Sequence, residues 1–192
     1  MTALSKELKQ FKDSLSCCTY NGAQHSDILI EENDVQAKLK KATIWAGNGD
    51  WFAFNPDKGR GKQALMSPLL ATGGEHDHHR ACDCVVVICR DNRLQVLYVD
   101  LKSGNPTGYA MQFKSTRQFL RYALELLKEF HSSPLKLERE QYVILHGGDR
   151  PPSIRKTTTV PKLDKISKTQ PDQAYKREVP NGARLFLREL IG

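Results

Sequence analysis

The segment at residues 82–104, CDCVVVICRDNRLQVLYVDLKSG, constrains the fold more than any other part of the chain. It contains two apolar runs rich in Val, Ile, Leu and Tyr, residue types that favour β-strands, separated by the polar sequence Arg-Asp-Asn-Arg. Asp91 and Asn92 suit a two-residue turn. The segment therefore predicts a β-hairpin in which Arg90 faces Arg93.

Both faces of this hairpin are apolar, because side chains alternate between the two faces of a sheet. One face is predicted to carry Val85, Val87, Leu94, Val96 and Tyr98, and at its far end Asp83, Asp100 and Lys102. The other face is predicted to carry Val86, Ile88, Leu97, Val99 and Leu101. Two apolar faces predict a hairpin at the centre of a larger sheet.

The same register places Asp83 directly opposite Asp100. Two like charges at that distance, about 5 Å between Cβ atoms, destabilise a sheet unless something offsets the repulsion. Three offsets are open: one carboxyl stays protonated, Lys102 bridges the pair, or a divalent cation binds between the carboxylates. Mg²⁺ suits the third case, because it prefers oxygen ligands and commonly uses one or two carboxylates together with a substrate phosphate.

This layout resembles the PD-(D/E)XK nuclease superfamily, and more closely its RecB-like branch. Residues 100–104 read Asp-Leu-Lys-Ser-Gly, similar to the Asp-Tyr-Lys-Thr-Gly motif of that branch, and Asp83 stands where the first acid is expected. Residues 118–122, Gln-Phe-Leu-Arg-Tyr, are similar to its Gln-apolar-x-x-Tyr motif. The glycine usual before the first acid is missing, since residues 79–83 read His-Arg-Ala-Cys-Asp.

The resemblance implies a fold, a metal and a division of roles. The fold is a single-domain α/β structure with a central mixed β-sheet flanked by helices, a restriction-endonuclease-like core. Asp83, Asp100 and the backbone carbonyl of Leu101 would hold Mg²⁺ or Mn²⁺, and Lys102 would assist the attacking water. Gln118 and Tyr122 would position the nucleic-acid strand, and an upstream glutamate remains to be chosen from Glu31, Glu32 and Glu75.

The motif at residues 118–122 also has structural interpretations. Ser115 and Gln118 fit a capping box that would start a helix, and capping does not exclude contact with DNA. Tyr122 fits the core of that helix, which is predicted to end near residues 132–134. Gln112 is an alternative for the site glutamine.

The sequence EHDHHRACDC at residues 75–84 raises zinc as a rival metal. The five candidate ligands are His76, His78, His79, Cys82 and Cys84. Their spacing is unlike that of structural zinc sites, and the two cysteines flank a single strand position, which predicts that both point to the face opposite Asp83. We expect buried cysteines and a histidine-rich loop.

The remaining elements follow from local patterns. Residues 3–16 predict a helix; within 26–45 the start fits a strand or a helix, and 35–45 is typical of a helix. Residues 51–55 and 141–148 predict strands, 57–62 and 71–79 predict loops, and 183–190 predicts a strand or short helix.

Positive charge is concentrated near the C-terminus. Residues 150–178 carry eight basic and three acidic residues, so they hold five of the seven net positive charges of the chain. A basic loop rich in Pro, Thr and Ser can follow a phosphate backbone without reading bases, and Lys162, Lys165 and Lys168 are the candidates. The sequence DKGRGK at residues 57–62 is a second basic candidate, whose glycines lack the P-loop pattern.

Together these features predict a nuclease-like α/β domain at residues 1–149, with residues 150–192 forming a basic loop and a terminal element that packs back on it. The polar N-terminus, the absence of a long apolar run and five cysteines predict a cytoplasmic protein without membrane contact. We expect a metal-dependent nuclease, with DNA favoured over RNA. A regulatory or ATP-driven partner, or a defence complex, follows from family analogy. The alternative is a non-catalytic module that binds nucleic acid or a protein.

Overall fold

The computed structural model describes residues 3–60, 65–72, 78–104, 106–148 and 169–191. The strands in these ranges are β1 (Cys18–Asn21), β2 (Asp27–Glu31), β3 (Lys41–Trp45), β4 (Trp51–Phe54), β5 (Cys84–Arg90), β6 (Arg93–Ser103), β7 (Lys136–Gly148), β8 (Tyr175–Pro180) and β9 (Ala183–Phe186). The helices are α1 (Lys6–Asp13), α2 (Pro56–Gly59), α3 (Tyr109–His131) and α4 (Arg188–Ile191).

The strands form two sheets. The larger sheet has the order β1-β4-β5-β6-β7-β8, antiparallel from β1 to β6 and parallel from β6 to β8. The smaller sheet has the order β2-β3-β9. The prediction of an α/β fold with a central mixed sheet is confirmed.

The predicted hairpin is confirmed over its seven paired positions, whereas the predicted pair of Asp83 and Asp100 lies one position beyond them. Asp91 and Asn92 form the turn with positive φ angles of 50° and 62°, and the register runs from Arg90 opposite Arg93 to Cys84 opposite Val99. Positive φ at both positions matches the twist that a two-residue hairpin requires. The hairpin is central, with β4 on one side and β7 on the other.

Each face of the large sheet covers a separate hydrophobic core. The face with Val86, Leu97 and Val99 packs against the smaller sheet. The opposite face, with Val87 and Tyr98, packs against α1 and α3. The molecule therefore has three layers: the smaller sheet, the large sheet, and helices α1 and α3. Asp100 lies on the face of the large sheet that α3 covers.

Helix α3 begins earlier than the sequence predicted. Its N-cap is Gly108, in the left-handed conformation, so Ser115 lies inside the helix and the predicted capping box is wrong. Phe113 and Leu120 lie on the same face of the helix, and both are buried against the sheet. Burial of Phe113 therefore stabilises helical turns that precede Ser115. The helix ends at His131, close to the predicted stop.

Three other local predictions need correction. Residues 35–40 form no helix and 41–45 form β3, because Ala42 and Ile44 alternate into the core and the strand pairs with β2 and β9. Part of the predicted loop at 57–62 is the single-turn helix α2. Residues 175–178 belong to β8 rather than to a loop, since that stretch hydrogen-bonds in parallel with β7.

No helix in the described ranges is both long enough and apolar enough to cross a membrane. The C-terminal part of the chain extends both sheets, since β8 pairs with β7 and β9 pairs with β3. Arg177 of β8 and Glu189 of α4 form an ion pair of 2.9 Å, so this arginine has a partner within the fold.

The parallel pairing of β7 and β8 depends on a glycine, which yields a first prediction. Gly147 has φ of 152°, and a Cβ there would come within 2.1 Å of the Val179 carbonyl oxygen. Gly147→Ala should therefore lower the free energy of unfolding by about 3 kcal/mol or more, measured by urea denaturation.

The matched control is Gly104→Ala. Gly104 has φ of 76°, but a Cβ added there would meet no atom within 4 Å among the described residues. The substitution should cost only the strain of a left-handed backbone, about 1–2 kcal/mol. Equal losses in the two variants would contradict the collision at Gly147.

Candidate active site

Asp100 is a fully buried acid near the end of β6. The Lys102 ammonium lies 2.9 Å from one of its carboxylate oxygens, and the Asp83 carboxyl group is the other side chain within hydrogen-bond reach among the described residues. Burial raises the pKa of its carboxyl group, and the neighbouring Lys102 ammonium opposes that rise. A buried carboxyl group with so few donors is costly, and such groups in native proteins usually have a functional reason.

Asp83 lies one residue before β5, where the ladder with β6 has ended. Its carboxylate turns toward β6 and accepts a hydrogen bond of 2.5 Å from the Leu101 backbone N–H. Burial raises the pKa of the Asp83 carboxyl group well above its usual range, and the charge of Asp100 raises it further. The predicted proximity of the two acids is thus present as an electrostatic coupling.

The backbone of Leu101 faces the same place. In an extended strand, the N–H and C=O of one residue point toward the same neighbouring strand. Because the Leu101 N–H points to Asp83, its carbonyl also points to the edge that β5 has vacated. The Leu101 carbonyl therefore lies on the side of β6 that the two acids share.

Lys102 completes the group and is held from two sides. Its Nζ lies 2.9 Å from Oδ2 of Asp100 and donates a hydrogen bond of 2.7 Å to Oε1 of Gln112. The amide nitrogen of Gln112 in turn donates to the Ala81 carbonyl at 3.2 Å. Gln112 sits in the first turn of α3, so the early start of that helix makes it the glutamine next to Lys102.

A polar cleft with a volume of about 490 Å³ opens beside this group. Asp83 and Gln112 line the cleft, whereas Asp100 lies fully buried behind its lining. The cleft wall carries both signs of charge. Its other charged residues are Glu31, Glu32, Asp57, Lys58, Arg60 and Arg80.

The three upstream glutamates, Glu31, Glu32 and Glu75, differ in their position relative to the site. The charge of Glu32 raises the pKa of both Asp83 and Asp100, so Glu32 is the candidate closest electrostatically to the site. Its segment is fixed to the end of β6, because Ser103 Oγ accepts the backbone N–H groups of Lys38 and Leu39 at 2.7 and 3.2 Å. Glu31 also lines the cleft, and Glu75 lies outside the described residues.

Gln118 and Tyr122 do not lie in the cleft. Both line a separate apolar groove between α3 and residues 66–70, and Tyr122 is 61% exposed rather than part of the core. Their predicted contact with nucleic acid stays a prediction. The three tail lysines, Lys162, Lys165 and Lys168, lie outside the described residues.

The two zinc-competent cysteines lie apart, and His76 lies outside the described residues. Cys84 packs between the sheets and Cys82 packs beneath α3, so the prediction that both cysteines share a face is wrong. Strand β5 begins only at Cys84, so Cys82, whose backbone N–H donates to Thr116, precedes it and alternation does not apply. His79 is buried, with Nδ1 accepting from the Met66 N–H and Nε2 lying 3.2 Å from the Ala71 carbonyl.

The residues present fit a hard divalent cation. Across the part of the chain that the structure describes, no group of three or more His, Cys, Asp and Glu side chains gathers as a metal cluster. Two carboxylates and a backbone carbonyl, with further positions for water, match the preference of Mg²⁺ and Mn²⁺ for oxygen ligands. The Asp100 oxygens, which have Lys102 as their one described cationic neighbour, are the observation that such a cation would account for.

The raised pKa of Asp83 gives the second prediction. A carboxyl group whose pKa is raised by folding contributes stability below its unfolded pKa, near 4, and loses it as pH rises through the folded pKa. Asp83→Asn keeps an acceptor for the Leu101 N–H and removes the charge. Without metal, the variant should match the natural protein near pH 4 and exceed its unfolding free energy by about 1–3 kcal/mol at pH 8.

The measurement is urea denaturation at several pH values in the presence of chelator. Asp91→Asn is the control, because Asp91 is an exposed turn residue. It should change the unfolding free energy by less than about 0.5 kcal/mol at any pH. A gain in Asp83→Asn that does not depend on pH would contradict the coupling of the two acids.

Comparison with known proteins provides no relative to guide the assignment. No family model, no curated protein and no solved structure matches this chain. The functional interpretation therefore depends on the chemistry of the cleft, of Asp83 in its lining and of the buried Asp100.

Proposed function

We propose that this chain is a Mg²⁺- or Mn²⁺-dependent nuclease that hydrolyses phosphodiester bonds, with DNA as the favoured substrate. The observation that supports the proposal most is the pair of coupled acids, Asp83 and Asp100, with Lys102 held against Asp100 at the edge of a charged cleft. This is also the arrangement in which the sequence resembles PD-(D/E)XK nucleases.

The two carboxylates and the Leu101 carbonyl would hold the cation. When bound, a divalent cation neutralises charge on the phosphate and promotes ionisation of water. Without it, the carboxyl groups have raised pKa values, so binding of the cation competes with protons for the same oxygens. The cleft should accordingly bind metal more weakly as pH falls.

Lys102 supplies a positive charge whose position is fixed. Its ammonium group keeps one donor on Asp100 and one on Gln112, and an ammonium group has three donors. The third can orient the attacking water or stabilise the negative charge that develops on the phosphate. Gln112 acts on the reaction through Lys102 and is a positioning residue.

The cleft also offers contacts for a polyanion. Lys58 is an exposed lysine at its rim, and Arg60 and Arg80 line the same wall. We include the tail lysines and Gln118 as further nucleic-acid contacts of this proposal, whereas Tyr122 belongs to an exposed apolar patch that suits a protein surface better. A regulatory or ATP-driven protein partner would restrain the activity.

The third prediction tests the reaction itself. Purified protein should degrade DNA when Mg²⁺ or Mn²⁺ is added and stop when chelator is present. Asp100→Ala and Lys102→Ala should each lower the rate at saturating DNA by about a hundredfold or more, because each removes a group proposed to act on the phosphate or water.

Lys128→Ala is the control, since Lys128 is an exposed lysine near the far end of α3. It should leave the rate unchanged. Circular dichroism should find all three variants folded. DNA binding without metal-dependent cleavage in the natural protein would favour a non-catalytic nucleic-acid-binding module instead.

The fourth prediction separates the two glutamines. Gln112→Ala should lower kcat by about tenfold to a hundredfold with little change in KM, because it releases Lys102 without removing a cleft charge. Gln118→Ala should affect KM alone, since Gln118 is an exposed residue of the apolar groove. Steady-state kinetics distinguishes the two, and the reverse pattern would restore Gln118 as the site glutamine.

The fifth prediction concerns the tail. Joint replacement of Lys162, Lys165 and Lys168 by Ala should weaken binding to unrelated DNA sequences equally, with kcat unchanged. The slope of log affinity against log salt should become shallower by up to about 0.9 per lost duplex contact, or about 0.7 per single-strand contact. An unchanged slope would assign the tail to a protein partner or to solvent.

A further inference from the structure

One face of α3 concentrates exposed apolar side chains. Of the nine large apolar residues that are exposed among those described, five lie on this face or on the loop beside it. They are Leu69, Leu70, Tyr122, Leu126 and Phe130. An exposed apolar patch of this kind usually marks an interaction surface.

The patch borders a groove with a volume of about 540 Å³ between α3 and residues 66–70. Helix geometry, at about 100° per residue, places Met111, Ser115, Tyr122 and Leu126 within about 40° of one line along α3. The apolar Phe119 and Phe130 lie to the side of that line that faces the loop. This surface, from Met111 to Phe130, is called the α3 face below.

Charged residues along the α3 face, including Lys114 in the groove lining, have opposite signs at its two ends. Lys114 lies near the start of the helix, whereas Glu125 and Glu129 lie near its end. Within the described chain, neither Lys114 nor Glu129 forms an ion pair. Glu129 also stands in the last helical turn, where the helix dipole favours cations, so stability of the isolated helix does not account for it.

A surface with this charge order complements itself when one copy is turned end to end. We propose that two copies of the chain associate through the α3 face about a two-fold axis, with their α3 helices antiparallel. If Tyr122 packs on its symmetry mate, position 114 faces position 130 of the other copy, which brings Lys114 beside the partner subunit's Glu129 about 12 Å from the axis. The same symmetry brings the apolar flanks together.

The charges also separate this occupant from nucleic acid. A strand of DNA would run along Glu125 and Glu129 as well as Lys114, and the two carboxylates would repel its phosphates. In the antiparallel pair, Glu129 of each copy lies beside the partner subunit's Lys114, whereas Glu125 is already paired with Lys128 of its own helix at 3.7 Å. The face thus matches a second copy better than it matches a polyanion.

The test is sedimentation equilibrium of the full chain without metal or DNA, so its outcome does not depend on nuclease activity. The natural protein should form a dimer of chains of 21.7 kDa, with a Kd below about 10 µM. Tyr122→Asp should abolish the dimer while circular dichroism reports an unchanged fold, because Tyr122 is mostly exposed in the single chain.

Charge reversal tests the orientation. Lys114→Glu and Glu129→Lys should each raise the Kd by about tenfold or more, because the symmetry applies each change twice. The two changes combined should return the Kd to within about threefold of the natural value. Lys128→Glu, on the same helix but off the α3 face, should change it by less than about twofold.

Three results would overturn the proposal. The first is a natural protein that remains monomeric up to about 100 µM, a concentration at which an interface of ordinary size forms a dimer. The second is a dimer that persists in Tyr122→Asp. The third is a double charge-reversal variant that dimerises as weakly as the two single variants. Lower DNA affinity in Tyr122→Asp with no change in mass would assign the face to nucleic acid instead.

Discussion

The repulsion between a fully buried acid, Asp100, and a partly buried one, Asp83, at the end of the central hairpin is the constraint around which this structure is arranged. Asp100 is completely buried, and Asp83 reaches it from the point where β5 begins. Burial and the proximity of like charges both oppose ionisation of the pair. A chain that used this position only for stability would gain by placing neutral residues there, so the acids are better explained by a function that requires them.

The surrounding elements hold these acids in place. The hairpin register sets Asp100 and Lys102 on the same face, and the parallel partner β7 fixes β6 along its whole length. Helix α3 covers that face and contributes Gln112, while Ser103 fastens the segment that follows β2 and brings Glu32 toward the cleft. The site therefore combines contributions from several parts of the chain that are distant in sequence.

The hairpin and its two faces could be predicted because their determinants are local. Alternation of side chains, a two-residue turn and apolar runs are all visible within residues 82–104. Strand β3 was predicted as helix: one of its partners, β2, is local, but the other, β9, lies some 140 residues further along the chain. The start of α3 was misplaced for a related reason: Gly108 and the burial of Phe113, rather than Ser115, determine where that helix begins.

The candidate site also has one part that could be predicted from local sequence and another that depends on long-range contacts. The closeness of Asp83, Asp100 and Lys102 follows from strand geometry and was predictable. The choice of Gln112 over Gln118 as the partner of Lys102, and of Glu32 among the glutamates, depends on tertiary contacts that no spacing in the sequence specifies. Cys82 shows the limit of the alternation rule, which holds only for residues within the strand.

Direct titration with Mn²⁺, followed by electron paramagnetic resonance, tests the central claim that the two acids form a cation site. We expect about one Mn²⁺ bound per chain in the natural protein at neutral pH, weaker binding as pH falls, and loss of that site in Asp100→Asn. Equal binding by the natural protein and Asp100→Asn, or no binding by either, would contradict it.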